Sequence, residues 1–252
     1  MKNFVIGIAG KVNSEKDTIA SIVNYIFAVG HHKANYQEWI TKRKSFDNIN
    51  KDRIIHFADS LKDALSIIYN IARKYFDDRE YKDNMWYCIN TEKFFTNKEV
   101  ENNKNVIKVV NITDNDNKLS FIIENFQDKF ICIRLRQLMQ LFGDNICRNN
   151  LDKNIWIKSA ICKIINKAES RRVCIIPDVR YKNESNAIRY INNNSLYGVV
   201  IKVNRNIELN VFTDLHKSEQ LDIEYDYIIE NNDKLFNLFY KVLNIIKEII
   251  LK

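Results

Sequence analysis

Glycine and proline are scarce in this chain: five and one, respectively, among 252 residues. Long flexible linkers are therefore not expected, and the loops must be written in Asn, Asp and Lys. Long apolar runs are also missing. None approaches the roughly 20 residues a membrane-spanning helix needs, so no membrane association is expected. No two of Cys88, Cys132, Cys147, Cys162 and Cys174 have C-x-x-C spacing, and most sit in apolar surroundings. Five widely spaced cysteines favour buried free thiols in a reducing compartment over disulfides or a metal site. The chain opens almost at once on a strand-like run, with no basic region, apolar core and cleavage site of the signal-peptide kind. A soluble, cytoplasmic protein is predicted.

What is present suits a globular protein. Hydrophobic residues make up 46% and aromatics 12% of the chain, which excludes wholesale disorder. Its length suits one α/β domain with insertions or two small domains. The net charge of +7 and pI near 9.0 fit a binder of nucleotide phosphates and fit a nucleic-acid binder as well. The basic residues are scattered, with no run longer than Lys42-Arg43-Lys44, so charge alone does not decide.

The most informative stretch is Phe4-Val-Ile-Gly-Ile-Ala9 followed by Gly10-Lys-Val-Asn-Ser-Glu-Lys-Asp-Thr18. Six apolar residues predict a buried strand, and Ile19, Ala20, Ile22, Val23 and Ile26 give the apolar side of a helix starting at Asp17. Strand, polar turn and helix in that order form the setting of a phosphate-binding loop, whose amides and helix N-terminus attract anions. The full motif is G-x-x-x-x-G-K-[ST]. Gly10 and Lys16 fit it, whereas Glu15 stands where the second glycine belongs and Asp17 where Ser or Thr belongs.

Further along, residues 30–50 read as polar and irregular, with Trp39 an isolated anchor. Arg53–Phe57 reads as a second short strand, running into a helix that Asp59 or Ser60 could cap. Val106–Ile112 and Leu119–Ile123, around Asp114–Asn117, suggest a hairpin. Residues 131–148 and 154–169 read as helices, and Arg172–Asp178 as a buried parallel strand. A helix near 184–193, strands at Gly198–Val203 and Tyr227–Glu230, and a long helix from Lys234 complete the chain. Alternating apolar strands and amphipathic helices predict a doubly wound α/β domain: a parallel sheet of about five strands with helices on both faces. The expected organisation is a single domain over 1–252, with an α+β insertion at 73–130. Ligands of such sheets bind at the strands' C-terminal ends, where the loop at 10–18, Asp59, and Asp178 with Arg180 are placed.

Several motifs in order resemble the phage-type deoxynucleoside monophosphate kinases, a P-loop kinase family. They are the loop Gly10-Lys-x-x-Ser-x-Lys-Asp-Thr18, Phe57-Ala-Asp-Ser-Leu-Lys62, Arg136-Gln-Leu-Met-Gln140 with Gly143 and Arg148, Trp156, and Asp178-Val-Arg-Tyr-Lys-Asn-Glu184. The animal phosphomevalonate kinases are similar in the loop and the late Ser218-Glu219 pair. The resemblance implies transfer of the γ-phosphoryl of ATP to a deoxynucleoside monophosphate. It implies that Gly10, Asn13, Ser14, Glu15, Lys16, Asp17 and Thr18 form the ATP loop, with Lys16 bridging the transferring phosphates. Asp17 or Thr18, with Asp178, would organise Mg²⁺. Arg136, Arg148 and Arg180 would hold substrate phosphate or clamp the transition state, and Arg134 could replace any one of them. Asp59 and Lys62 would lie near the acceptor, Gln140 would read a base edge, and His216, Ser218 and Glu219 would belong to a late ligand segment. A homodimer is compatible with this reading.

The departures within the loop, where the family resembled usually carries glycines at the positions of Asn13 and Glu15, open a second reading. Glycines serve such loops because the backbone turns to positive φ close to phosphate. Asn tolerates that conformation and Glu does so poorly. A carboxylate about 5 Å from a phosphate charge, at an effective dielectric near 20, costs roughly 3 kcal/mol before it turns to water. Weakened ATP binding is the expectation. The second reading is a kinase fold that has lost catalysis and serves as a nucleic-acid-binding or structural module.

Overall fold

The computed structural model describes residues 3–11, 13–109, 129–168, 172–191, 196–205 and 222–251. The hairpin turn expected at 114–117, its partner run 119–123, and His216, Ser218 and Glu219 lie outside the described residues. The chain divides into two compact units, Met1–Phe57 with Ile157–Lys252, and Ala58–Trp156.

The first unit is built on a parallel sheet. Its strands are β1 (Asn3–Gly10), β6 (Val173–Val179), β7 (Leu196–Asn204) and β8 (Tyr227–Glu230), in the order β6-β1-β7-β8. All neighbouring pairs are parallel. The apolar run Phe4–Ala9 thus lies in one of the sheet's two inner strands, flanked by β6 and β7. Its alternate side chains enter two different cores. Phe4, Ile6 and Ile8 join helices α1 (Lys16–Val29), α2 (Tyr36–Ile49) and α8 (Leu235–Leu251) on one face. Val5 and Ala9 join α6 (Ile155–Ala168) and α7 (Lys182–Arg189) on the other. A strand buried on both faces must be apolar throughout, as this one is. Among the described residues the sheet has four strands where about five were expected. The predicted strand at 53–57 contributes one parallel bridge, Ile54 to Ile175, with Ile55 N–H donating to Ile175 O at 2.9 Å.

Three expectations from the sequence need correction. Residues 36–49 are helical rather than irregular: the Asn35 side chain caps α2 by accepting from the amides of Gln37 and Glu38. Trp39 is fully buried against Phe239 and Tyr36, and its Nε1–H donates to Ser21 Oγ at 3.2 Å. The stretch predicted as one helix from 131 begins instead with strand β5 (Phe130–Arg134) and turns helical only at α5 (Leu135–Gln140), which runs into a π-helical segment at Leu141–Arg148. The helix after Phe57, α3 (Asp59–Ile68), has Ala58 at its cap position rather than Asp59 or Ser60.

The second unit carries its own small sheet of β2 (Trp86–Cys88), β3 (Lys93–Phe95), β4 (Val106–Lys108) and β5, in the order β3-β2-β5-β4. Of these, β4 pairs with β5 in parallel, while the other pairs are antiparallel. A short helix, α4 (Asn97–Asn102), is closed by a Thr96–Glu99 capping box. The core of this unit gathers Leu61, Leu65, Phe76, Tyr87, Ile131, Ile133 and Trp156. All five cysteines are free thiols, four of them buried and Cys162 exposed. Among the described residues no helix is long and apolar enough to cross a membrane.

Candidate functional site

In the first unit, the C-terminal ends of the four parallel strands carry a polar cluster. Gly10 ends β1 and opens the loop; Asp178 sits near the end of β6; Arg205 follows β7; Asn231 follows β8. The loop between β1 and α1 is stitched to these ends. Asn231 Nδ2 donates to Ser14 O at 3.2 Å, and Arg205 Nη1 donates to Asn13 O at 3.1 Å. Within the loop, Ser14 N–H donates to Lys11 O at 3.2 Å. Lys16 folds back across the turn, its ammonium donating to Gly10 O at 2.5 Å and Lys11 O at 2.6 Å. Gly10 has a steric reason to be glycine: a Cβ there would lie 2.4 Å from Ser14 Oγ and 3.0 Å from Val203 O. Ser14 is buried, and its Oγ has no hydrogen-bond partner among the described residues.

The two positions where the sequence departs from glycine adopt the conformation that glycine would. Asn13 has φ 62° and Glu15 has φ 69°, both left-handed. Glu15 occupies the cap position of α1 without capping it: no side-chain bond reaches the first-turn amides, which leaves those amides available to an anion. Glu15 Oε2 accepts from Thr18 Oγ1 at 2.6 Å, and Oε1 pairs with Arg205 Nη1 at 3.1 Å. Arg43 Nη2 in turn donates to Thr18 Oγ1 at 3.3 Å. The hydrogen bond from Thr18 holds the Glu15 carboxyl below its ordinary range against the opposing effect of burial, with help from Arg205 and Arg43. The carboxylate is therefore ionised and already partnered. The sequence pointed to Glu15 as a charge facing phosphate; it did not point to Arg205, which lies 190 positions away along the chain.

At β6, Asp178 Oδ1 accepts from Phe57 N–H at 3.2 Å and Oδ2 lies 3.8 Å from His56 Nδ1. The Arg180 and Tyr181 amides both donate to Glu184 Oε2, at 2.8 and 3.1 Å, which fixes the turn after the strand. Among the described residues no group of three or more His, Cys, Asp or Glu side chains is arranged to hold a metal. One or two carboxylates completed by phosphate oxygens and water is nevertheless the usual setting of Mg²⁺. Asp178 and the exposed Asp17 fit that donor set, while the hydroxyl of Thr18 is engaged by Glu15 and Arg43.

The remaining predicted residues belong to the second unit. Arg136 forms a two-pronged pair with Asp83, Nε to Oδ1 at 2.7 Å and Nη2 to Oδ2 at 3.0 Å. Lys62 donates to Asp77 at 2.7 Å, and Arg73 forks to Asp59, Asp63 and Asp77. Arg148 lies 3.4 Å from Asp144 one turn earlier, and Gln140 is exposed at the end of α5. Arg134 lies over the Trp86 ring at 4.8 Å, so its guanidinium is engaged in packing. Lys82, not singled out from the sequence, adds to this cationic group. Burial lowers the affinity of its ammonium for a proton, and the nearby charges of Arg136, Lys62 and Arg79 act in the same direction.

A glycine-poor loop that keeps the glycine backbone, set between an inner parallel strand and its helix, gives this unit a P-loop kinase-like α/β fold. Comparison with known proteins narrows the class. The deoxynucleotide monophosphate kinase family matches residues 5–242, and this chain belongs to that family. The deoxynucleotide monophosphate kinase of Enterobacteria phage T4 is 28% identical over 157 residues, covering 58% of this chain and 62% of that protein. The match thus spans somewhat less than two thirds of that relative's length.

Proposed function

We propose that this protein is a nucleotide kinase that transfers the γ-phosphoryl group of ATP to a deoxynucleoside monophosphate. The observation that carries the reading is the loop: Asn13 and Glu15 take the left-handed backbone of a phosphate cradle, and the Glu15 carboxylate is tied to Thr18 and Arg205. The feature of the sequence that argued most strongly for a retired kinase is thereby accommodated, which favours the catalytic reading over a purely structural or nucleic-acid-binding one.

Phosphoryl transfer needs positioning and charge neutralisation more than covalent participation. A phosphate oxygen of the acceptor attacks the γ-phosphorus, the bond from that phosphorus to the bridging oxygen breaks, and ADP leaves with the electron pair. In this reading the ammonium of Lys16 exchanges its two loop carbonyls for phosphate oxygens, and the α1 amides face the same anion. Asp178 and Asp17 would hold Mg²⁺, which neutralises phosphate charge when bound. Arg136, Arg148 and Arg180 are assigned to substrate phosphate or to the transition state, because guanidinium forks match phosphate geometry, and Asp59 and Lys62 to the neighbourhood of the acceptor.

The test is direct. Protein incubated with ATP, Mg²⁺ and each of the four deoxynucleoside monophosphates should release the corresponding diphosphate with at least one acceptor, and Lys16→Ala should abolish it. No product with any acceptor, together with no ATP-dependent thermal shift, rejects the proposal. A salt-sensitive affinity for DNA in the same preparation would then favour the binding module.

A further inference from the structure

The Glu15 carboxylate is held by two partners, one in the first turn of α1 and one just past β7. Thr18 Oγ1 holds one carboxylate oxygen at 2.6 Å and Arg205 Nη1 holds the other at 3.1 Å. The same Arg205 nitrogen also donates to Asn13 O at 3.1 Å, so one guanidinium grips the loop at both of its left-handed residues. Arg205 follows directly on β7, the strand paired with β1 along its whole length, which gives it a rigid base. Arg43, the other cation near Glu15, reaches Thr18 rather than the carboxylate and is also committed to Asp47 at 3.8 Å and to the face of Trp39. With Arg205 removed, the carboxylate would keep one hydroxyl partner and lose its ion-pair partner. It would then be free to swing toward the phosphates that the loop receives.

We infer that Arg205 is a positioning residue of the nucleotide loop. It holds the Glu15 carboxylate and neutralises it, so that a polyanion can enter a loop carrying an acid where glycine would otherwise stand. The inference rests on the kinase reading above and adds to it: the ATP loop of this chain is completed by a cation at the end of the neighbouring strand, 190 positions along the chain, required because of Glu15.

The requirement is conditional, and a double-mutant cycle reads the condition. Steady-state phosphoryl transfer would be measured for wild type, R205A, E15G and E15G/R205A, with R205K and E15Q as further variants and circular dichroism as a check of folding. In the wild-type background R205A should raise the KM for ATP by about tenfold or more, the scale of one unscreened charge in the cradle, with kcat changing much less. In the E15G background the same substitution should change KM by less than about twofold. R205K should restore part of the loss, and E15Q should behave like E15G, because charge rather than shape creates the need for a partner. The R205A effect should shrink as salt is added. Equal effects of R205A in the two backgrounds, or none in wild type, overturn the inference while leaving the kinase reading intact. A wild type that binds no ATP beside an E15G that does would also overturn it, since Glu15 would then be an uncompensated obstacle. Failure of all the variants to bind or turn over ATP would instead reject the kinase reading, and the inference with it. If R205A does not fold, the R205K and E15Q arms make the same comparison.

Discussion

Glu15 sits at φ 69°, and the cost of that backbone can be separated from the value of its side-chain contacts. A residue with a Cβ in the left-handed region is strained by roughly 1–2 kcal/mol, and glycine by almost nothing. Against the carboxylate stand one hydrogen bond from Thr18 and a half-exposed pair with Arg205, side chains 45% and 38% exposed. Pairs this open to water contribute at most about 1 kcal/mol. Glu15→Gly loses the contacts and relieves the strain, so unfolding free energy should change little. Glu15→Ala loses the same contacts and keeps the strain. After allowing for the greater freedom of glycine in the unfolded chain, the alanine variant should be less stable than the glycine variant by about 1 kcal/mol. Glu15→Asn should fall near glycine, as Asn13 already occupies the same region two residues earlier. Urea unfolding would read the difference, with calorimetry showing melting points separated by about 2–4 °C. If the alanine and glycine variants unfold together within about 0.3 kcal/mol, Glu15 is not held at positive φ, and the loop does not keep the glycine-like backbone on which its phosphate-binding role depends.

Other consequences follow from packing and charge. Gly198→Ala should be severely destabilising, by more than about 3 kcal/mol, because the new Cβ would lie 1.8 Å from the Ile188 carbonyl oxygen and only backbone movement could relieve it; soluble yield and thermal unfolding check this. Trp39→Phe removes a buried ring edge and the donor to Ser21 Oγ, and should cost about 2–3 kcal/mol in urea unfolding. Because the folded protein holds the Glu15 carboxyl below its ordinary 4.5, its contribution to stability is complete above about pH 4.5 and disappears as pH falls through the folded value. The difference in melting temperature between wild type and Glu15→Gln should therefore narrow below that pH. Asp178→Asn keeps an acceptor for Phe57 N–H but loses the charge assigned to Mg²⁺. It should leave the melting temperature within a few degrees while lowering phosphoryl transfer by at least about a hundredfold.

The parts of the fold that can be read from the sequence are those whose signal is local. Phe4–Ala9, Val173–Val179 and Tyr227–Glu230 are apolar or alternating runs long enough to fix their strands. The C-terminal helix is legible in the spacing of Leu238, Val242, Ile246 and Ile249, all of them buried. Boundaries fare worse because the usual punctuation is missing: with one proline and five glycines, nothing marks where β5 gives way to α5. The apolar run Phe130–Ile133 was available as a strand signal, but the helical spacing of the residues after it is stronger. Helix α2 hides its fully buried Trp39 among charged neighbours, although Asn35 followed three residues later by Glu38 is a helix-start signature. In the candidate site the phosphate loop is legible because its residues are consecutive. Arg205 is not, since an arginine at the end of an apolar run carries no mark of what it will meet once the sheet forms.

The inner position of β1 has a consequence for how the protein comes into being. Both of its neighbours, β6 and β7, are encoded far downstream: β1 ends at Gly10 and β6 begins at Val173, so about 160 residues separate them. At translation rates of about 5–20 residues per second, β1 leaves the ribosome some 8–30 seconds before β6, the earlier of its two partners, is made. Throughout that interval the nascent chain displays an apolar strand, together with a loop whose Arg205 partner has not yet been synthesised. The unit Ala58–Trp156, contiguous in sequence, can complete its own core while the first strand waits. Vectorial synthesis thus makes the loop after β1, although it is made long before β7, one of the last features to acquire its working shape.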